Sequence, residues 1–174
     1  IWLMSPAKPQ KPIAAKTQAK LKSTSKPKAP AKPGQRVGVI GVGVMGQALV
    51  KGMLHGKVFE ARQLWGADRS ATACQKAERD LGITVSTSYT PHLADSAIVV
   101  LCVKPNMVGS AIKGLKAAGL KPGTLVLSIA AGVTLTQIEG FLGTKNPVIR
   151  VMPNLPCVVG EGMSALARGT YATD

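Results

Sequence analysis

Residues 38–54 read "GVIGVGVMGQALVKGML", and the expected fold follows from this stretch. Gly41, Gly43 and Gly46 follow a short apolar run with the spacing G-x-G-x-x-G. Between a strand and a helix, this spacing is typical of a turn that binds the pyrophosphate of a dinucleotide. The first glycine permits a tight turn, the second admits the pyrophosphate, and the third lets helix and strand pack closely. Glycine-rich chains also produce the spacing by chance, so the flanking sequence must support it.

The flanking sequence alternates between strand-like and helix-like segments. The run "AIVVLCV" (97–103) is apolar throughout and lies between polar residues, which is typical of a strand buried on both faces. Thr134 and Gln137 predict a capping box at the start of a helix. We expect strands at 36–41, 62–67, 83–85, 97–103, 124–130 and 147–152, and helices at 45–54, 70–81, 106–119 and 135–142. This order predicts an α/β fold, a Rossmann-type doubly wound, mostly parallel sheet with helices on both faces.

Most of the net charge of +14 lies in the first 36 residues, which carry eight Lys, one Arg and no acid. Residues 1–35 are rich in Lys, Pro and Ala, and cannot bury enough apolar surface to offset their ordering entropy. We therefore predict a disordered basic tail over 1–35 and an NAD(P)-binding domain over 36–174. The tail has no aromatic residue between Lys8 and Lys32 for stacking on bases, so we do not expect a nucleic-acid partner.

Several other kinds of site are not expected from the sequence. Cys74, Cys102 and Cys157 have neither metal-ligand nor disulfide spacing, so we expect no metal site and a reducing compartment. No apolar run approaches the length of a membrane span. The tail is rich in Lys and Pro but poor in Arg, which argues against an organellar presequence. We expect a cytoplasmic protein that is not associated with membranes.

The segment "ADRS" (67–70) follows the second predicted strand, where Rossmann folds bind the adenosine ribose. Asp68 favours NAD, because a carboxylate accepts hydrogen bonds from the ribose hydroxyls. Arg69 and Ser70 favour NADP, because they suit a 2′-phosphate. We expect NADPH as the cofactor, with NADH as the alternative. Its phosphates would lie against the amides around Val44 and Met45, at the positive end of the helix dipole.

Four segments together resemble the pyrroline-5-carboxylate reductase family. They are "IGVGVMGQAL" (40–49), "CVKPN" (102–106), "SIAAGVTLTQIEGFLG" (128–143) and "VIRVMPNLPCVVGEGMSAL" (148–166), and the resemblance extends over residues 36–169. It implies an oxidoreductase of proline biosynthesis that acts on a C=N bond. Such an enzyme passes hydride from NAD(P)H to 1-pyrroline-5-carboxylate and forms L-proline.

The resemblance also implies a set of cofactor-binding residues, but it assigns no catalytic residue. The pyrophosphate would be held by Gly41, Val42, Gly43, Val44, Met45 and Gly46, and the adenosine end by Asp68 and Arg69. The groove beyond them would be lined by Val103, Lys104 and Pro105 and by Ala130, Ala131 and Gly132, with Asn154 near the nicotinamide. Lys104 is expected to line the groove rather than to donate a proton.

The chain departs from the family pattern in three places. Leu155 stands where members commonly have Thr, and Tyr89 stands where many have an Asn that helps hold the adenosine part, which weakens the NADP assignment. Family members continue into a helical domain that forms a homo-oligomer and holds the substrate, whereas this sequence stops at Asp174. We therefore expect an incomplete chain that binds the cofactor but has little turnover alone. The alternatives are a stand-alone dinucleotide-binding module without turnover and a related imine or 3-hydroxyacid reductase.

Overall fold

The computed structural model describes residues 35–154, 156 and 162–173. Strands and helices alternate along most of this part of the chain, as the apolar pattern predicts. The strands are β1 (Arg36–Ile40), β2 (Leu64–Ala67), β3 (Thr84–Ser86), β4 (Ser96–Leu101), β5 (Leu125–Ser128), β6 (Val148–Pro153) and β7 (Ser164–Arg168). The helices are α1 (Val44–His55), α2 (Ala71–Leu81), α3 (Thr90–Leu93), α4 (Val108–Ala117) and α5 (Leu135–Leu142). Short 3₁₀ turns at Ala61–Gln63 and Pro105–Met107 precede β2 and α4.

The strands form one sheet in the order β3-β2-β1-β4-β5-β6-β7. The first six are parallel to one another, and β7 pairs antiparallel with β6. After β1, the chain adds β2 and then β3 on one side of β1. It then crosses back and adds β4, β5 and β6 in turn on the other side of β1. This topology confirms the predicted Rossmann-type fold, while β7 was not predicted.

Each face of the sheet buries its own apolar cluster. Val37 and Val39 of β1 face a cluster that includes residues of α1 and α2. Ile40 of β1 and Leu101 of β4 face the opposite cluster, which includes residues of α4 and α5. Alternate residues of a strand point to opposite faces, so strands covered on both sides must be apolar throughout. Helices on both faces confirm the doubly wound arrangement.

The ends of some elements differ from the sequence prediction because pairing, and not composition, determines where a strand stops. β5 pairs with β4 only from Leu125 to Ser128, although the apolar run continues to residue 130. Similarly, β2 begins at Leu64 because the three preceding residues form a 3₁₀ turn closed by a capping box between Glu60 and Gln63. The capping box predicted for Thr134 and Gln137 at the start of α5 is confirmed.

Three features named in the sequence analysis lie outside the described residues. They are the tail over 1–35, of which only Gln35 is described, together with Leu155 and Cys157. The boundary between tail and domain therefore stays a prediction.

None of the helices in the described part of the chain has the length and hydropathy that a bilayer crossing requires. Over the same residues, no three His, Cys, Asp or Glu side chains are grouped closely enough to hold a metal ion.

Candidate functional site

A cleft of about 580 Å³ opens where the carboxyl ends of β1 and β4 lie side by side. The connections after these strands go to opposite faces of the sheet, since α1 contributes to one apolar cluster and α4 to the other. In open α/β sheets, ligands bind in the crevice that such a divergence creates. The cleft is bounded by the glycine turn after β1, the end of β2 and the segment after β4.

Two glycines of the turn are required by the fold itself. Gly41 has φ +96°, and its N–H donates to the carbonyl oxygen of Ala67 at 2.7 Å. A Cβ on Gly41 would lie 2.7 Å from the carbonyl oxygen of Cys102, and a Cβ on Gly46 would overlap the carbonyl oxygen of Gly41. Both clashes are with backbone atoms, which cannot move without opening the turn. The close approach of helix and strand predicted for Gly46 is therefore present.

Gly43 differs from the other two glycines, because the fold does not require it. Its φ of −71° suits any residue, and a Cβ built on it has no atom within 4 Å. It lines the cleft at the N-cap of α1, where no side chain caps the helix. Val44 and Met45 begin this helix, so their N–H groups have no partner within it. A bare, uncapped backbone thus faces the open cleft.

Asp68 ties the glycine turn to the end of β2. One carboxylate oxygen accepts from the N–H of Val42 at 3.2 Å, and the other accepts from the N–H of Ser70 at 3.1 Å. Ser70 in turn caps α2, because its hydroxyl accepts from the N–H of Ala73 at 3.2 Å. Both oxygens of Asp68 are therefore already engaged within the protein. Arg69 is exposed at the cleft and provides a cation at this end.

Val103 and Lys104 line the cleft beyond the end of β4, whereas Pro105 begins the following 3₁₀ turn and is not among the lining residues. Next to them, burial raises the pKa of the Cys102 thiol to about 12. The thiol is therefore protonated at neutral pH. Cys102 consequently acts here as a small, partly buried side chain of the cleft wall, since nucleophilic attack and metal binding require the thiolate.

Several residues of the cleft wall are absent from the predicted set of binding residues. They are Tyr89 after β3, Asn106 and Met107 in the 3₁₀ turn before α4, and Ser110 and Ala111 in α4. The signal that finds the last four is topological: the segment following β4 starts at the divergence point, so its first turn must face the cleft. Tyr89 carries no topological signal, because β3 is short and lies at the edge of the sheet. Only the family resemblance points to this position, where it implies an Asn beside the adenosine.

The remaining predicted residues are not among those that line the cleft. Val42, Val44, Met45 and Gly46 belong to the glycine turn itself, and four others follow later strands. Ala130 is buried in the core, while Ala131 and Gly132 are exposed in the turn after β5. The carboxamide oxygen of Asn154 accepts from the backbone N–H of Met163 at 2.8 Å. The backbone N–H of Asn154 donates to the Met163 carbonyl oxygen at 3.1 Å. Asn154 thereby joins the end of β6 to the start of β7. All four residues follow carboxyl ends of strands, on the same edge of the sheet as the cleft.

Comparison with known proteins identifies the family of this chain. The family model described as NADP oxidoreductase, coenzyme F420-dependent, matches residues 36–132, from the start of β1 to the turn after β5. The chain belongs to this family. The chain is 36% identical over 139 residues to pyrroline-5-carboxylate reductase of Methanosarcina acetivorans, covering 80% of this chain and 51% of that protein. It is 34% identical over 139 residues to pyrroline-5-carboxylate reductase 3 of Mus musculus, covering 79% and 50%.

Solved structures show the same similarity. A pyrroline-5-carboxylate reductase from Coxiella burnetii superimposes with a TM-score of 0.74 at 26% identity, covering 80% of this chain and 52% of that one. The Plasmodium falciparum pyrroline carboxylate reductase with NADP bound gives a TM-score of 0.66 at 26% identity, covering 80% and 50%. The resemblance predicted from four sequence segments is confirmed. The chain spans about half the length of the curated relatives it matches.

Proposed function

We propose that the chain binds NADPH in the cleft and forms the dinucleotide-binding half of a reductase that converts 1-pyrroline-5-carboxylate to L-proline. Gly43 carries the proposal, because this position is bare although the fold does not require glycine there. A ligand that approaches the backbone closely explains the missing side chain. The names of the relatives, and the NADP bound to one similar structure, support this assignment.

The glycine turn is the proposed pyrophosphate site. Gly41 and Gly46 shape the turn, Gly43 leaves room for the phosphates, and the N–H groups of Val44 and Met45 point toward them at the positive end of α1. Val42 contributes differently, because its N–H is bonded to Asp68 and its side chain is buried in the core. Val42 therefore holds the turn in shape rather than touching a phosphate.

The adenosine end is proposed to lie at Asp68 and Arg69. Both oxygens of Asp68 hold backbone N–H groups, while the guanidinium of Arg69 lies at the cleft edge. A guanidinium binds a phosphate through paired, charge-assisted hydrogen bonds. The exposed guanidinium therefore favours the 2′-phosphate of NADPH. Each Asp68 oxygen carries one N–H bond and keeps a lone pair that a ribose hydroxyl can use.

From the pyrophosphate, the proposed groove continues past Val103, Lys104 and Pro105 toward Ala130, Ala131, Gly132 and Asn154. These residues follow β4, β5 and β6 along one edge of the sheet. When bound, the reduced nicotinamide supplies the hydride for the C=N carbon of the substrate. We assign the cofactor-binding domain to residues 36–174 and the compartment to the cytoplasm, with no nucleic-acid partner. The homo-oligomer is proposed for the full-length members of the family.

Calorimetric titration of the purified chain with NADPH and NADH tests the cofactor assignment. We expect Arg69→Ala to weaken NADPH binding by about ten-fold or more and to leave NADH binding nearly unchanged, because only NADPH carries the 2′-phosphate. Arg79→Ala is the matched control, since Arg79 is exposed on α2 and is not among the residues lining the cleft. Equal losses for both cofactors would contradict the NADPH preference. Failure of NADPH to bind, or binding of coenzyme F420 in its place, would overturn the cofactor assignment.

The reaction is tested separately by expressing the gene in a proline-requiring bacterium that lacks its own reductase. Growth without proline supports the proposed reaction. If the protein made from the full-length gene binds NADPH but gives no growth, the reductase proposal fails and a dinucleotide-binding module without turnover is supported instead. Residues 1–174 alone are expected to give no growth, because they form only the cofactor-binding half.

A further inference from the structure

Tyr89 closes the end of the cleft where Asp68 and Arg69 lie. It follows β3, and its half-buried ring packs against the apolar cluster on the α4 side of the sheet. The ring rests directly on the backbone of α4, because a Cβ built on Gly114 would lie 2.8 Å from its Cε2 atom. Helix α4 thus supports the ring from behind while another part of the ring borders the cleft.

The hydroxyl of Tyr89 is available for a ligand. Among the residues that the structure describes, no hydrogen bond to this hydroxyl is present, although the residue is only half exposed. Burial raises the pKa of Tyr89, and the nearby charge of Asp68 adds to the rise while Arg69 opposes it. The hydroxyl therefore keeps its proton at neutral pH and remains a hydrogen-bond donor.

The polar groups around Tyr89 divide into engaged and available ones. Each oxygen of Asp68 accepts from one backbone N–H group, that of Val42 in the glycine turn and that of Ser70 before α2. Arg69 and Tyr89 both line the cleft and both carry hydrogen-bond donors, and the Arg69 charge is close enough to lower the pKa of Tyr89. A cation beside a hydroxyl donor suits an anion with several acceptor oxygens, and a phosphate monoester is the one that a dinucleotide carries at this end.

We propose that Tyr89 determines cofactor specificity: its hydroxyl donates, together with Arg69, to the 2′-phosphate of NADPH, and its ring forms the wall against the adenosine. The proposal rests on the proposed function, because it requires a dinucleotide in this cleft. It also changes the sequence-based interpretation of Tyr89, which counted this residue as a weakness of the NADP assignment. Gly114 has a supporting role, since only a residue without a side chain leaves room for the ring.

Tyr89→Phe separates the hydroxyl from the ring. We expect NADPH to bind this variant about ten-fold more weakly, because one hydrogen bond to a charged group is lost, while NADH binding changes less than about two-fold. Tyr89→Ala removes the wall as well and weakens both cofactors. Tyr171→Phe is the matched control, since Tyr171 is the other tyrosine of the chain and is exposed after β7. Circular dichroism and the urea midpoint establish that each variant is folded.

Gly114→Ala tests the support behind the ring. The added methyl group displaces the Tyr89 ring toward the cleft, so binding of both cofactors weakens. Gly140→Ala in α5 is the matched helical control, because its Cβ would meet nothing within 4 Å.

The outcomes of these experiments distinguish the proposed role of Tyr89 from the proposed function on which it rests. If the unaltered chain binds neither NADPH nor NADH, the proposed function fails. If it binds NADPH and Tyr89→Phe binds NADPH equally well, the proposed function stands and the role of the hydroxyl is overturned. Equal weakening of NADPH and NADH by Tyr89→Phe also overturns it, because the 2′-phosphate is then not the group that Tyr89 contacts.

Discussion

Gly43 and Gly46 belong to the same turn but are glycine for different physical reasons. At Gly46 a side chain would overlap the Gly41 carbonyl, so the requirement comes from the packing of α1 on β1. At Gly43 the space is open and the backbone conformation is ordinary. The sequence motif gives the two positions equal weight, and only the structure separates a glycine required for folding from one available to a ligand.

Alanine at each position therefore has a different expected effect. Gly46→Ala is expected to lower the free energy of unfolding by about 1–3 kcal/mol, because a methyl group is forced against backbone atoms. Gly43→Ala is expected to change it by less than about 0.5 kcal/mol but to weaken NADPH binding, because the methyl group takes up cleft space. Urea unfolding and calorimetric titration of both variants measure these effects. A Gly43→Ala variant that binds NADPH like the unaltered chain would contradict the phosphate turn.

At the scale of elements, helix α3 is held at the amino end of β4 by a buried polar chain. The indole N–H of Trp65 on β2 donates to the hydroxyl of Ser96 at 2.8 Å, and that hydroxyl donates to the carbonyl of His92 at 2.9 Å. The His92 ring packs on Trp65 with centroids 5.6 Å apart, and Nη2 of Arg36 lies 3.4 Å from its Nδ1. Three strands and α3 therefore meet at one histidine.

This packing predicts a pH dependence of stability. Burial lowers the pKa of His92 below its usual value near 6.5, and the Arg36 charge lowers it further. A lowered pKa means that the unfolded chain binds the proton more readily than the folded chain. The free energy of unfolding is therefore expected not to change with pH through His92 above about pH 7, and to fall as the pH drops below about 6.5.

Urea unfolding of the chain and of His92→Gln between about pH 5 and pH 7.5 measures this contribution. The variant is expected to be less stable at pH 7, because it loses the ring contact, but to lose less further stability on acidification. His55→Gln is the control, since His55 lies exposed at the end of α1. Identical pH slopes for His92→Gln and the unaltered chain would show that His92 does not cause the effect.

At the scale of the whole molecule, the sequence predicted the fold better than the site. Continuous apolar runs and glycine spacing are local signals, and they were sufficient for the parallel sheet from β1 to β6. β7 gave no such signal, because every residue from Ser164 to Arg168 is exposed and the strand exists through its pairing with β6. Tyr89 joins the cleft through packing on Gly114. Contacts of this kind link distant residues and leave no periodic pattern in the sequence.

The arrangement of the whole molecule also predicts the effect of removing the tail. The strand pairings and apolar clusters of the described structure begin at Arg36, and the cleft lies at the far end of β1. Removing residues 1–34 is therefore expected to leave the urea midpoint and NADPH affinity unchanged. A longer deletion, of residues 1–41, takes away β1 and is expected to abolish cooperative unfolding. A large loss of stability from the shorter deletion would show that the domain does not begin near residue 36.

The direction of β1 has a practical consequence. The strand runs from Arg36, at its end away from the cleft, to Ile40 beside the cleft. These two residues are about 13 Å apart at about 3.3 Å per residue. A tether joined ahead of Arg36 therefore starts on the side of the sheet away from the cleft. The protein can be immobilised on a sensor surface through that end while its cleft stays open to the solution. Immobilisation through the loops after β2 or β4 would cover the positions at which the cofactor is proposed to enter.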